Sequence, residues 1–220
     1  MTVGTRTTIA GHPAVLSSVP VGGRALALYT VPELERLVDR DALLRGEAEP
    51  PYWAYLWAGA ITLASYVDRW VETRGRRVLE VGCGLGLPGL VAARGGGDVL
   101  FVDRARPALA FVGASAAANG LACERLCADF HALGGGARFD LILAAEIAYD
   151  RDGFAALADV FERHLRPGGI GLLADGFRTD TRPLYVELAR RGTVTRAIEV
   201  TVREEGRPCR LRLTELRQGS

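Results

Sequence analysis

The run Arg77-Val78-Leu79-Glu80-Val81-Gly82-Cys83-Gly84-Leu85-Gly86, followed further on by Asp98-Val99-Leu100-Phe101-Val102-Asp103, decides how the rest of the chain is read. A short apolar run containing one acid leads into a glycine loop. A helix-like stretch follows, then a second apolar run closed by a carboxylate. That order describes strand, tight turn, crossover helix and strand, a nucleotide-binding βαβ unit. Glycine at the turn lets the main chain approach a ligand closely, because no Cβ holds it off. Asp103, closing the second strand, is placed to accept both hydroxyls of a ribose. The expectation is a nucleoside-containing cofactor.

Gly84-Leu85-Gly86-Leu87-Pro88-Gly89 also satisfies the GxGxxG dinucleotide pattern, so a nicotinamide-dependent oxidoreductase remains an alternative at this point. Glu80 weighs against it, since a dinucleotide fold places an apolar residue there and a carboxylate suits a ligand carrying a cationic amine. Glu-x-Gly-x-Gly-x-Gly followed at strand distance by Asp resembles the first two motifs of the class I S-adenosylmethionine-dependent methyltransferases. The resemblance implies S-adenosylmethionine as cofactor, with S-adenosylhomocysteine as product.

Outward from this unit the pattern is α/β. Strands are expected near 77–81, 98–102, 124–128, 139–145 and 170–174, and helices over roughly 87–94, 107–119, 153–165 and 181–191. This alternation predicts a mostly parallel sheet with helices on both faces. Two apolar runs, 194–202 and 208–216, joined by Glu204-Glu205-Gly206-Arg207, read as a C-terminal antiparallel hairpin. The resembled family closes its Rossmann-like seven-stranded sheet in the same way. Before the βαβ unit, residues 14–29 read as a hairpin around Gly22-Gly23. Thr30 with Glu33 has capping-box spacing and predicts a helix through Leu34, Leu37 and Val38. Residues 1–50 are accordingly read as an N-terminal lid or substrate-side extension, and 51–220 as the cofactor-binding domain. Gly95-Gly96-Gly97 and Gly134-Gly135-Gly136 read as flexible joints.

The bulk properties suit one enzyme domain. The chain has 220 residues and net charge +1, which gives no electrostatic case for nucleic acid or membrane binding. All 27 basic residues are arginine and Asn119 is the single asparagine, a composition that suggests a G+C-rich bacterial gene. Cys83, Cys123, Cys127 and Cys209 form no CxxC pair, so neither zinc nor a disulfide framework is indicated. Cys123 and Cys127 are expected on one strand face as small core residues. No signal peptide or membrane-spanning run is evident, and the expectation is a monomeric cytoplasmic protein. His12, His131 and His164 have no serine or cysteine elbow nearby, which argues against a hydrolase.

Three further segments narrow the resemblance. Pro51-Tyr52-Trp53-Ala54-Tyr55-Leu56-Trp57-Ala58-Gly59 resembles the segment ahead of the glycine loop in the electron-transfer-flavoprotein β-subunit lysine methyltransferases. Glu146-Ile147-Ala148-Tyr149 occupies the place of that group's Asp/Glu-x-x-Tyr/Phe motif, and Ala174-Asp175-Gly176-Phe177-Arg178 is similar to its Gly-Asp-Pro-Gly-Arg run. Glu replaces the more usual Asp at 146, and the Pro-Gly of the last run is missing. These departures surround the acceptor side, so they bear on the substrate more than on the cofactor. The resemblance implies methylation of a protein lysine, possibly on a flavoprotein subunit. A small amine or hydroxyl metabolite remains the alternative acceptor.

The expected roles rest on chemistry, with the resemblance as support. Gly82, Gly84 and Gly86 let the loop pass close to the cofactor, and the next helix offers its first N–H groups to a carboxylate. Glu80 holds an ammonium group directly or through water, or else is a capped strand residue. Asp103 is the ribose ligand. Asp129 and Phe130 present a carboxylate and an apolar face to adenine, or are a turn aspartate beside a core ring. The resemblance implies that Trp57 flanks the cofactor pocket, where a bare aromatic would otherwise be core, and Tyr52 and Trp53 are expected in an acceptor channel. Glu146 orients the incoming amine and receives its proton, while Tyr149 shapes the slot. Asp150 is read as a helix cap.

Overall fold

The computed structural model describes residues 5–47, 49–204 and 206–218. The N-terminal part is a three-stranded antiparallel sheet of β1 (Arg6–Ile9), β2 (His12–Val21) and β3 (Arg24–Thr30). The hairpin expected around Gly22-Gly23 is present, with both glycines at positive φ (60° and 84°), as a two-residue hairpin turn requires. A Cβ at Gly22 would lie 1.7 Å from the Asp68 carboxylate, so the tight turn and the close approach both need glycine. Strand β1, joined through Ala10-Gly11, was not anticipated. The capping-box helix does not form. Thr30 pairs with Val15 in the β2–β3 ladder, its hydroxyl donates to the Val15 carbonyl at 3.5 Å, and Glu33 is left-handed at φ 56°. Only a 3-10 turn at Leu34–Leu37 and a short helix α1 (Arg40–Leu44) follow.

After a 3-10 turn at Tyr52–Ala54 come α2 (Ala58–Trp70), β4 (Arg77–Val81), α3 (Leu87–Arg94), β5 (Asp98–Asp103), α4 (Arg106–Ala118) and β6 (Glu124–Cys127). They continue with β7 (Phe139–Ala145), α5 (Phe154–His164), β8 (Leu165–Asp175), α6 (Arg182–Arg190), β9 (Thr193–Glu204) and β10 (Arg207–Gln218). Glu205, within the expected terminal turn, lies outside the described residues. The seven strands order β6-β5-β4-β7-β8-β10-β9, with β10 antiparallel to both neighbours. From β4 the chain moves to β5 and β6 on one side and then returns to β7 and β8 on the other, all parallel, which creates the switch point where such sheets hold ligands.

Period-two alternation divides the core between the two faces of the sheet. Val78, Phe101, Leu141, Leu143 and Leu172 pack with residues of α2, α3 and α4. Leu79, Val102, Ile142 and Leu173 pack with α5 and α6. The N-terminal sheet joins the first of these cores through Ala14, Val21, Leu26, Leu28 and Val31. Its strand β3 has α4 side chains as edge partners: Ala27 N donates to Asn119 Oδ1 (3.0 Å), Asn119 Nδ2 donates to Ala27 O (2.7 Å), and Tyr29 N donates to Ser115 Oγ (3.0 Å). The side-chain amide thus completes the hydrogen bonding of an edge strand, which would otherwise leave main-chain groups unpaired.

Two smaller expectations are corrected. Strand β6 is the sheet edge and is exposed throughout, so Cys127 is exposed rather than core, and Cys123 precedes the strand half-buried. Gly95 and Gly97 are packed joints rather than flexible ones, since a Cβ at Gly95 would meet Thr73 Oγ1 at 2.2 Å and one at Gly97 would meet Ala92 O at 3.1 Å. Gly134–Gly136 do lie in open space.

Asn119→Ala should leave both main-chain groups of Ala27 without their partner and lower stability by about 1–3 kcal/mol. Urea unfolding of the two proteins measures this, and an unchanged midpoint would show that the Asn119 bonds do not hold the N-terminal sheet.

Candidate active site

The C-terminal ends of β4, β5 and β7 open into a cleft of about 340 Å³, within the range of small-ligand sites. The loop 82–86 lines it, and the segment 49–57 lies across that loop: a Cβ on Gly84 would sit 3.0 Å from the Trp53 carbonyl oxygen. Glu80, Gly82, Gly84, Gly86, Asp103, Asp129 and Phe130 all line this cleft, as do Trp57, Glu146 and Tyr149. Residues scattered from 57 to 149 are therefore brought to one place by the parallel strand order.

Gly82, Gly84 and Gly86 have φ values of 59°, 50° and 74°, which suit glycine. Their bend lets Gly84 N donate to Asp103 Oδ2 at 2.8 Å, while Ala105 N donates to Asp103 Oδ1 at 2.8 Å. Asp103 is 8% exposed, and its pKa is raised because burial outweighs these main-chain bonds. Glu80 is more deeply enclosed. It sits on the α3 side of β4, where Gly89 N donates to its Oε2 at 2.9 Å. A Cβ on Gly89 would lie 2.4 Å from that oxygen and 2.5 Å from Phe101, so the third glycine of the pattern allows α3 to seat on Glu80. Burial pushes Glu80 up to about 8, with the Gly89 bond opposing and the Asp103 charge adding to the rise. The first-turn donors of α3 are used differently from the expectation, since Pro88 has no N–H and that of Gly89 goes to Glu80. Cys83 is a buried free thiol, raised well above its ordinary value by burial and then by Asp103 and Glu80.

Asp129 caps the 3-10 turn Phe130–Ala132, its Oδ1 accepting from His131 N at 2.9 Å and lying 2.7 Å from His131 Nδ1. Phe130 stacks on His131 with centroids 4.4 Å apart. Trp57 precedes α2, and its indole N–H donates to Tyr52 O at 3.0 Å. Trp53 touches the cleft, but its ring is set edge-on between His12 and Phe111, each 5.3 Å away, so the ring is a core anchor. Tyr52, by contrast, is exposed at the rim, 5.6 Å from the Tyr149 ring.

Glu146 follows β7 in a left-handed conformation (φ 56°), unusual for a residue with a Cβ. Its N–H donates to Ala174 O at 2.8 Å, which holds the turn against the end of β8. The side chain is 4% exposed and its Oε1 is buried with no hydrogen-bond partner. Burial raises its pKa, Arg178 opposes the rise, Glu204 adds to it, and the nearby Gly176 main-chain N–H lowers it. Tyr149 is half exposed, with its pKa raised by burial against the pull of Arg104. Asp150 caps the 3-10 turn Arg151–Gly153 through Asp152 N at 3.1 Å, as the sequence suggested.

Sequence reasoning missed several residues here. Arg104 and Glu49 line the cleft and form an ion pair across it, and Gly59 gives the Glu146 carboxylate room. Adjacency to Asp103 was a usable signal for Arg104, and the glycine at the start of α2 was one for Gly59. Nothing local marks Glu204.

The Glu80 carboxyl has a measurable consequence. Between its ordinary value of 4.5 and about 8 the folded chain keeps a proton that the unfolded chain has released, so its contribution weakens folding progressively as pH rises through that window. Glu80→Gln has no proton to lose and should melt higher than the parent near pH 9, by about 2–4 °C for each kcal/mol recovered, with the difference vanishing near pH 4. Thermal melts across pH test this, and a constant offset at every pH would contradict it.

A family model described as a methyltransferase domain matches residues 78–169. The protein N-lysine methyltransferase METTL21A of Danio rerio is 35% identical over 127 residues, 52% of this chain and 56% of that protein. The Mus musculus METTL21A is 31% identical over 147 residues, 63% of this chain and 67% of that protein. Against three of the curated relatives the chain spans about half their length. Among solved structures, the T. thermophilus 16S rRNA N2 G1207 methyltransferase RsmC, solved with AdoMet and guanosine, superposes with a TM-score of 0.66 at 21% identity, over 93% of this chain and 50% of that one. That likeness bears on the fold alone. With the sheet order, the glycine loop and these matches in agreement, the nicotinamide alternative falls away, and the chain belongs to the class I S-adenosylmethionine-dependent methyltransferases, resembling their protein lysine methyltransferase group.

Proposed function

We propose that this protein transfers the methyl group of S-adenosylmethionine to a lysine amine of a protein substrate. The observation that carries the reading is Glu146: a buried carboxylate with one unpartnered oxygen, at the tip of β7, on the same cleft as Glu80 and Asp103. The relatives named as protein lysine methyltransferases, and another named as a histidine protein methyltransferase, support a protein acceptor.

The residues present fit the cofactor. Gly82, Gly84 and Gly86 leave no side chain over the cleft floor, Asp103 has a carboxylate for a ribose, and Glu80 has one for an ammonium group. Phe130 and Asp129 suit the adenine end, and Trp57 flanks the pocket. When bound, S-adenosylmethionine supplies an already activated methyl group on a sulfonium. The chain's own task is then alignment and deprotonation of the acceptor. A lysine of pKa about 10.4 is neutral in only about one molecule in 2,500 at pH 7, a cost of about 4.6 kcal/mol. Glu146 offsets part of this cost by orienting the amine and taking its proton. Tyr149 and Tyr52, ring against ring at the rim, shape a slot for the aliphatic part of a lysine. The all-arginine basic composition supports a bacterial origin, the cytoplasm is the proposed location, and a flavoprotein subunit, as the resemblance implies, is the first protein acceptor to try.

S-adenosylhomocysteine should raise the melting temperature of the wild-type chain, and Gly84→Ala should abolish that shift, because the added Cβ meets Trp53 O and strains a φ of 50°. In single-turnover transfer of labelled methyl from S-adenosylmethionine to bacterial lysate protein, Glu146→Gln should slow the step by about 100-fold or more with cofactor binding intact, and Tyr149→Phe should slow it less. Unchanged rates would remove both residues from the mechanism. Label confined to small molecules would replace the protein acceptor with a metabolite.

A further inference from the structure

Glu146 is faced by charged groups from the far side of the sheet, none of them from the glycine loop. Arg178, in the loop after β8, donates through Nε to Glu146 Oε2 at 3.4 Å, and its guanidinium lies 4.6 Å over the Trp57 ring. The other end of that guanidinium donates to Glu204 Oε2 at 2.9 Å and Oε1 at 3.2 Å. Glu204 ends β9, and its Oε1 also accepts from Ala58 N at 3.1 Å, at the first residue of α2 and next to Trp57. Among the described residues, Cys209 on β10 is a further titratable group near the pair. Its thiol is raised by burial first, then by Glu204 and Glu146.

This is not a loose surface pair. The Glu146, Glu204 and Arg178 side chains are 4%, 19% and 40% exposed. Arg178 grips only one oxygen of Glu146. The other, Oε1, is enclosed without a donor, and a Cβ at Gly59 or Gly176 would come within 2.6 or 3.0 Å of it. An enclosed carboxylate oxygen with no donor is costly, and a site that keeps one is arranged to receive a hydrogen-bond donor. Two carboxylates around one guanidinium also leave a single net negative charge, the complement of one arriving ammonium.

We propose that Arg178 and Glu204 are positioning residues of the acceptor site: Arg178 clamps Glu146 by one oxygen so that the other meets the acceptor amine, and Glu204 fastens this clamp to the start of α2. The proposal rests on the lysine reading for the identity of what approaches Oε1. It makes Glu204, at the end of β9, part of the acceptor site, although it does not line the cleft. The two residues act on Glu146 in opposite senses. The guanidinium favours the ionised carboxylate that a proton acceptor must be, and the Glu204 charge opposes it.

The test follows Glu146 directly. With carbon-13 label in the glutamate carboxyls, its signal is assigned as the one missing in Glu146→Gln and titrated in the full chain. Arg178→Gln should move its midpoint to higher pH and Glu204→Gln to lower pH, each by about half a unit or more, while Arg178→Lys should return most of the first shift. The acid limb of the kcat/KM profile for methyl transfer should move in the same two directions, with S-adenosylhomocysteine binding unchanged. Midpoints that stay put, or that move together in both variants as a general loosening would cause, overturn the clamp, as does a transfer profile that ignores midpoints that have moved. If Arg178→Gln does not fold, Arg178→Lys and Glu204→Gln still decide. Opposite midpoint shifts in the two variants, together with a wild-type chain that labels no protein, would sink the lysine reading and leave the clamp standing, so the two failures are separable.

Discussion

The architecture depends on keeping two carboxylates, Glu80 and Asp103, beneath a glycine loop where water is excluded. Each is secured by a main-chain donor: Gly89 N for Glu80 and Gly84 N for Asp103, the latter shared with Ala105 N. Desolvation opposes both charges, and the raised pKa values of both groups record how incompletely these bonds offset it. A stable domain tolerates that cost where a ligand cation and sugar hydroxyls complete the solvation. The glycines are needed because every donor involved is main chain, and a Cβ at 84 or 89 would push the donor or its neighbour away.

The proposed acceptor side is built on another principle. Its groups come from four separate segments: Ala58 at the start of α2, Glu146 after β7, Arg178 after β8 and Glu204 at the end of β9. Hydrogen bonds join them in a chain, and each is oriented by the next. The antiparallel strand β10 is what returns the chain so that β9 ends beside α2. The proposed cofactor half of the site is thus centred on one βαβ unit, whereas the proposed acceptor half exists only when the whole sheet has formed. The N-terminal sheet takes no part in lining the cleft. It packs on α4 and α2, and among the described residues of the first fifty only Glu49 and Pro50 reach the cleft.

The mismatches between expectation and structure share a physical origin. The Thr30–Glu33 spacing suits a capping box, but the same threonine is held in a strand ladder, and pairing with Val15 prevailed over local helix preference. Cys123 and Cys127 have the alternation of a buried face, but Cys123 falls just before β6 and Cys127 lies on it at the exposed edge of the sheet. Gly95 and Gly97 look like hinges in a string of letters and are close-packing residues in space. In each case the deciding neighbour is distant in sequence.

From the residues alone, the strand–loop–helix–strand order around Glu80 and Asp103, the parallel alternation after it and the closing hairpin could all be read. Those features rest on short-range periodicity and on the conformational freedom of glycine, which act within a few residues. The resemblance carried by Glu146, Tyr149 and the aromatic segment 52–57 added the acceptor side in outline. Tertiary structure alone decided that Glu80 is enclosed under α3, that the Trp53 ring is structural, and that Arg178 and Glu204 stand behind Glu146. These are outcomes of burial and of contacts between segments up to 146 residues apart, as in the bond from Ala58 to Glu204, and no window of sequence contains both partners.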